Sequence, residues 1–284
     1  MPGISSLRLS ADGHQLAIDQ TTGNNPGVWV LDLDRGTPDR LTSNSETDRY
    51  ARFSPDGKQI VFSSIRSGLP RIFIRPSVSN GTDQPLDLET PPGMRDFPHD
   101  WSRDSKYIVF VRAASSSQGT DIWVKPMFGD GKPFALVQSK LYINGEPRVS
   151  PNGRWLAYST DRNGQRQIRV HTFPDPNGNE PTVTADGGMF PTWKRDGSEL
   201  YYLAQDGNLM AVTVKEDGDQ LALGTPKVLF QSPVTSLRPS VDDPYDVSPD
   251  GNRFVFLANT NPVAPTDPDK LMVILKWTAA LRKK

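Results

Sequence analysis

Short apolar runs recur along this chain, separated by polar stretches that carry Gly and Pro, and each run keeps a fixed distance from a small polar motif. The motif reads Leu9-Ser10-Ala11-Asp12-Gly13, Phe53-Ser54-Pro55-Asp56-Gly57, Trp101-Ser102-Arg103-Asp104-Ser105, Val149-Ser150-Pro151-Asn152-Gly153, Trp193-Lys194-Arg195-Asp196-Gly197 and Val247-Ser248-Pro249-Asp250-Gly251. The second residues of these copies stand 44, 48, 48, 44 and 54 residues apart. Six and eight residues after that position lie Leu16 and Ile18, Ile60 and Phe62, Ile108 and Phe110, Leu156 and Tyr158, Leu200 and Tyr202, and Phe254 and Phe256. The residue between each pair is Ala, Val or Tyr, so these runs are apolar on both faces, as in strands sandwiched between neighbouring sheets. A second run follows in every copy, at Val28–Leu31, Ile72–Ile74, Ile122–Val124, Ile168–Val170, Leu209–Val212 and Leu271–Leu275. Weaker strand signals lie near Arg40–Thr42, Pro85–Asp87, Phe134–Leu136, Thr182–Thr184 and Val228–Phe230. No amphipathic helical pattern of useful length interrupts them.

One such sheet cannot bury both of its faces, and a period in this range belongs to sheets stacked radially about an axis. The pattern therefore predicts a six-bladed β-propeller of four-stranded antiparallel blades, forming a single domain over residues 1–284. The blades fall at about 4–47, 48–95, 96–143, 144–187, 188–241 and 242–284. The last is expected to be incomplete, or completed by the tail Thr278–Lys284, because no outer strand follows its third run. The Asp-Gly of each motif supplies a tight hairpin turn between first and second strands. Asp12, Asp56, Asp104, Asp196 and Asp250 are accordingly read as turn residues, not as catalytic or metal-binding groups.

Charge changes the picture mainly by exclusion. With 32 Lys+Arg against 33 Asp+Glu the net charge is −1, which gives no general attraction to nucleic acid. There is no Cys, which removes thiolate metal sites and Cys nucleophiles. No stretch is apolar enough to span a bilayer, and the first residues lack the basic and apolar regions of a signal peptide, so the expectation is a cytosolic protein or a soluble portion of a longer one.

Propellers bind at the ends of the axial channel, whose wall is made by the first strand of every blade. The residues just before the motif's apolar position form a ring of Arg8, Arg52, Asp100, Arg148, Thr192 and Asp246. This ring either grips a carboxylate-bearing or sugar-like ligand through bidentate bonds, or pairs with itself and plugs the channel. A second ring four residues upstream contains Asp48, Asp96, Asn144 and Asp242, hard oxygen donors suited to Ca2+ or Mg2+, although without a metal-loop spacing; solvated loop carboxylates are the alternative. Of the three histidines, only His99 is placed near the channel, where Asp96 and Glu146 allow a general-base reading beside the plainer one of a hydrogen-bonded core histidine. No Gly-x-Ser-x-Gly nucleophile elbow is present.

The motif, the following apolar pair and the spacing to the third strand resemble the TolB-like, WD-type propeller repeat over nearly the whole chain. More narrowly, Gly187–Gly197, Gln205–Val212, Tyr245–Ser248 and Val273–Lys284 are similar to the C-terminal propellers of bacterial receptor-like serine/threonine kinases. That resemblance implies an exported sensor or interaction module, periplasmic or otherwise extracytoplasmic, and part of a larger kinase-linked protein. This chain departs from it in carrying no kinase motifs and no membrane span. The expected function is a non-catalytic propeller that binds a protein, peptide or small polar ligand at the channel mouth through Arg8, Arg52, Asp100, Arg148, Asp246, His99 and Glu146. The alternative is a propeller-type lyase or hydrolase with acid/base residues in the channel and a divalent cation.

Overall fold

The computed structural model describes residues 4–22, 25–42, 46–114, 119–184, 186–234, 243–258 and 270–275. All regular structure among them is β. The first blade comprises β1 (Ile4–Leu9), β2 (Gln15–Thr22), β3 (Asn25–Asp32) and β4 (Thr37–Arg40), hydrogen-bonded in that order. The second comprises β5 (Asp48–Phe53), β6 (Gln59–Ser64), β7 (Arg71–Pro76) and β8 (Gln84–Pro85). The third comprises β9 (Met94–Trp101), β10 (Tyr107–Ala114), β11 (Thr120–Pro126) and β12 (Phe134–Val137). In the fourth, β13 (Asn144–Val149), β14 (Trp155–Thr160) and β15 (Gln167–Thr172) pair in sequence. Residues 179–184 complete that blade, through bonds from Val170 N to Pro181 O and from Val183 N to Ile168 O. The fifth comprises β16 (Met189–Trp193), β17 (Glu199–Leu203), β18 (Asn208–Asp217) and β20 (Lys227–Gln231), with β19 (Gln220–Leu223) pairing only with the far half of β18.

The expectation of a six-bladed propeller of four-stranded blades, the last incomplete or completed by the tail, is corrected: the described residues form five blades. The sixth repeat yields only a three-stranded sheet, β21 (Tyr245–Val247), β22 (Arg253–Ala258) and β23 (Lys270–Leu275). The third strand begins 22 residues after the motif's second residue in this repeat, against 14 to 18 in the others. The sheet nonetheless fills the gap between blades 5 and 1. Tyr245, Phe254 and Phe256 pack on Tyr201 and Leu203, while Val255 and Leu257 pack on Leu7, Leu16 and Ile18. Leu7 N donates to Asp243 O at 3.3 Å across that join.

The double-faced apolar runs have the role their pattern implies. Ile60, Phe62, Ile108, Phe110, Leu156 and Tyr158 are each wholly buried between sheets. Truncating Phe110, which packs against Val61 and Ile72 of the preceding blade and Trp101 of its own, removes about 3–5 kcal/mol of stability, to be read from chemical denaturation of Phe110→Ala.

The motif turns form one repeated network. Ser54 Oγ donates to Asp56 Oδ1 at 2.6 Å, Lys58 N to the same oxygen at 3.1 Å, and Gln59 N to Ser54 Oγ at 2.9 Å. Ser10, Ser102, Ser150 and Ser248 repeat the pattern with Asp12, Asp104, Asn152 and Asp250. The serine hydroxyl, and then the main-chain amide, hold the Asp12, Asp56 and Asp250 carboxyls below the usual carboxylate range. In the fifth copy Lys194 replaces the serine, and Ser198 donates to Asp196 instead.

A second recurrence was not legible in the sequence. The inner strands β1, β5, β9, β13 and β16 are all irregular in their pairing with the second strand. Tyr50, Glu146 and Phe190 occupy the same repeat position there, with φ of 63°, 51° and 57°. Such bulges re-aim the backbone, and here they turn inner-strand carbonyls toward side chains of other blades.

Candidate functional site

At the end of the axis where the motif turns lie, a cavity of about 160 Å³ is lined by Arg8, Arg52, Asp100, Arg148, Thr192 and Asp246. The structure thus brings the whole inner ring together. Beneath the cavity the charges pair. Asp243 bonds Arg52 Nη2 through one oxygen and Arg148 Nη2 through the other, and all three side chains are almost completely buried. His99 O accepts from Arg52 Nε at 2.7 Å and from Arg148 Nη1 at 2.6 Å. Arg8 Nη1 lies 3.1 Å from Asp246 Oδ1.

Aspartates of this ring also staple neighbouring sheets. Asp246 Oδ2 accepts from Leu9 N at 2.9 Å, and Asp100 Oδ2 from Val149 N at 2.7 Å. A third staple sits further along the channel, where Asp19 Oδ2 accepts from Tyr50 N at 2.7 Å and from Ser6 Oγ at 3.0 Å. Burial pushes Asp19 and Asp100 each up to about 6, against the opposing pull of main-chain amides and of Arg52 or Arg8. Burial likewise raises Asp246. For Arg8, burial favours deprotonation but is outweighed by Asp246, Asp243 and Asp100, which hold it above its ordinary value.

His99 is buried and driven down to about 3, first by desolvation and then by Arg52. It is neutral at any physiological pH. Its Nδ1 has no hydrogen-bond partner among the described residues, and the atom it offers the channel is its carbonyl. Glu146 is occupied in its own blade, by Arg166 Nη1 at 2.6 Å and by Ser159. Asp96 takes a bidentate grip from Arg112, at 2.7 and 3.1 Å, and a bond from Thr90. Asp48 lies 3.3 Å from Arg66, while Asp242 falls outside the described residues. Each of Asp48 and Asp96 is thus bound to an arginine of its own blade. Among the described residues no group of three or more His, Asp or Glu stands ready to hold a metal.

Two features of this end escaped the sequence reading. Asp243 was passed over for its neighbour Asp242, although the ring of Arg8, Arg52 and Arg148 against Asp100 and Asp246 is one anion short, and Asp243 supplies it. The other feature is the rim. Its repeat positions are Ala11, Pro55, Arg103, Pro151, Arg195 and Pro249, so two cations stand among small or cyclic residues. Arg103 Nη1 donates to Arg195 O at 2.8 Å, and Arg195 Nη1 to Ala11 O, so the two side chains string blades 3, 5 and 1 together across the mouth.

Residues 3–127 match the family described as the TolB beta propeller domain. A Tol-Pal system protein TolB of Francisella tularensis subsp. holarctica is 30% identical over 246 residues, covering 67% of this chain and 54% of the relative. The chain therefore spans about half the length of the curated relatives it matches. Among solved structures, a putative TolB from Agrobacterium tumefaciens superposes with a TM-score of 0.64 at 22% identity, covering 87% of each chain. An oligogalacturonate lyase in complex with manganese gives 0.62 at 12% identity, covering 96% of this chain and 89% of that one. At such identities these likenesses concern the fold alone. Its repeats and architecture make the chain a β-propeller, and its first half is similar in sequence to the TolB beta propeller domain.

Proposed function

We propose that this propeller is a non-catalytic recognition module that binds a protein segment, peptide or small polar ligand at the axial mouth. The observation that carries this reading is the self-pairing of the channel: Arg52 and Arg148 close on Asp243, Arg8 closes on Asp246, and a small cavity with an arginine-bearing rim lies above them. Charges spent on one another close the channel and shape a surface; they leave no acid/base pair aimed at a substrate. His99 at about 3 is a poor general base, and Asp96 and Glu146 are each held by their own arginine. Relatives that carry the Tol-Pal name, an assembly name, support a protein as the partner class and an extracytoplasmic setting. A sensor role within a larger, kinase-linked protein is the finer form of this proposal. Among the described residues no helix is long and apolar enough to cross a membrane.

A thermal-shift screen against short peptides, oligosaccharides and Ca2+ or Mg2+ salts tests the reading. A ligand at a hundredfold its dissociation constant stabilises by about 2.7 kcal/mol. The expected result is stabilisation by a peptide or small polar compound that is lost in Ala11→Trp, which fills the mouth from an exposed rim position. Stabilisation by a divalent ion coupled to turnover of an oligosaccharide overturns it in favour of the lyase or hydrolase.

A further inference from the structure

Beside the axial cavity lies a larger one of about 490 Å³, between blades 4 and 5 on the same end of the propeller. Its outer wall is the far half of β18, at Val214 and Glu216, part of an arm that β18 forms with β19. That arm belongs to blade 5 but folds onto blade 4: Arg154 Nη1 bonds Glu216 Oε2 at 3.0 Å, Arg154 Nη2 bonds Asp219 Oδ1 at 2.8 Å, and Trp155 Nε1 donates to Glu216 Oε1 at 3.2 Å. The two cavities share Arg103, Pro151, Trp193 and Arg195. They are two stretches of one groove, with the rim arginines at the bend.

Resting on the mouth reading above, we infer that this groove takes an extended acidic peptide, with a ligand carboxylate at the bend between Arg103 and Arg195. Charge argues for this occupant. The axial stretch carries Arg8, Arg52, Arg103, Arg148 and Arg195 against Asp100, Asp243 and Asp246, whose acids lie below the rim, bonded to main-chain amides or arginines; the second stretch adds Asp196 and Glu216, the first held by Lys194 and Ser198 and the second by Arg154 and Trp155. Arg195 disfavours the charged form of Arg103, whose pKa is lowered by burial first and by this neighbour second. A carboxylate set between two guanidiniums relieves that repulsion. The present bonds of Arg103 and Arg195 to the main-chain carbonyls of Arg195 and Ala11 each use one N–H, whereas a guanidinium has five, arranged to match a carboxylate in a bidentate fashion. A length of extended chain, in contrast to a compact anion, is what a groove running from the axis out over two blades accommodates.

The test uses the intact protein on an array of dodecapeptides with random flanks and a central Asp, Glu, Asn or Lys, with oligogalacturonate as a competing probe. Asp and Glu peptides are expected to bind at least tenfold better than Asn peptides. The preference is expected to vanish in Arg103→Gln/Arg195→Gln and to survive in Arg103→Lys/Arg195→Lys at reduced strength. Arg35→Gln, at an exposed turn of blade 1, is expected to leave binding unchanged. Thermal melts of each variant establish that it is folded, and Arg154→Ala, which frees the arm from blade 4 without changing the groove's lining, is expected to weaken peptide binding by a second route. Peptide binding without acidic preference, blocked by Ala11→Trp, overturns this inference and leaves the mouth reading standing. Tight binding of oligogalacturonate with no peptide bound overturns the peptide occupant, and no binding of either overturns both.

Discussion

Asp243→Ala is expected to destabilise the protein by about 3–5 kcal/mol, because it strands the guanidiniums of Arg52 and Arg148 as buried charges without their anion. At the sensitivity of a domain of this size, roughly 2–4 °C per kcal/mol, the melting temperature drops by about 6–20 °C. The loss is specific to breaking the set. Replacing all three members, as Arg52→Met/Arg148→Met/Asp243→Leu, is expected to recover most of the stability, since well-packed apolar side chains commonly match or exceed a buried ionic cluster. Denaturant titrations of wild type, the single variant and the triple variant check this. An Asp243→Ala variant within about 1 kcal/mol of wild type shows that the clamp does not anchor the C-terminal sheet to the channel.

Asp19→Asn is expected to stabilise the protein at pH 8 and to do little at pH 4. The folded-state value of about 6 lies above the ordinary value of 3.8, so the fold favours the protonated carboxyl. The stabilisation from that protonated group is fully present below 3.8 and is lost as pH rises through 6. A shift of about two units corresponds to about 3 kcal/mol, which wild type forgoes above pH 7 and of which the amide restores part, its Nδ2 standing without an acceptor where Oδ1 was. The amide oxygen can keep the bonds from Tyr50 N and Ser6 Oγ, and the other carboxylate oxygen, Oδ1, has no hydrogen-bond partner among the described residues. Turn aspartates such as Asp56 act in the opposite sense. Their values are depressed, so their contribution is present above 3.8 and lost as pH falls below it. Melting curves from pH 4 to 8 that are parallel for Asp19→Asn and wild type contradict this assignment.

The periodic part of the architecture was legible because it rests on local signals: a hairpin turn needs Asp-Gly, and a strand between two sheets needs apolar residues on both faces. The number of blades was not, since an outer strand such as Gln84–Pro85 is two residues long and carries almost no pattern, so the missing outer strand of the sixth repeat did not by itself stop it being counted as a blade. The ring of Arg8, Arg52, Asp100, Arg148 and Asp246 was placed by repeat register alone. Register broke down two to four residues upstream, where the inner-strand bulges intervene. That shift turned His99 from a side chain in the channel into a carbonyl in the channel, and put Asp243, not Asp242, against the arginines. The arm of β18 and β19 was missed for a different reason. Lys215–Leu223 alternates weakly and is half polar, and only its tertiary bonds to Arg154 and Trp155 give it a place.

Partners are read at the end of the axis where the motif turns lie, and hydrogen–deuterium exchange of the intact protein, with and without the strongest acidic peptide from the array, puts this to the test. Slowed exchange at the turns around 10–13, 54–57, 150–153 and 194–198, with the opposite-end turns at 65–69 and 161–165 unchanged, is the predicted result. Protection centred on those opposite-end turns contradicts it.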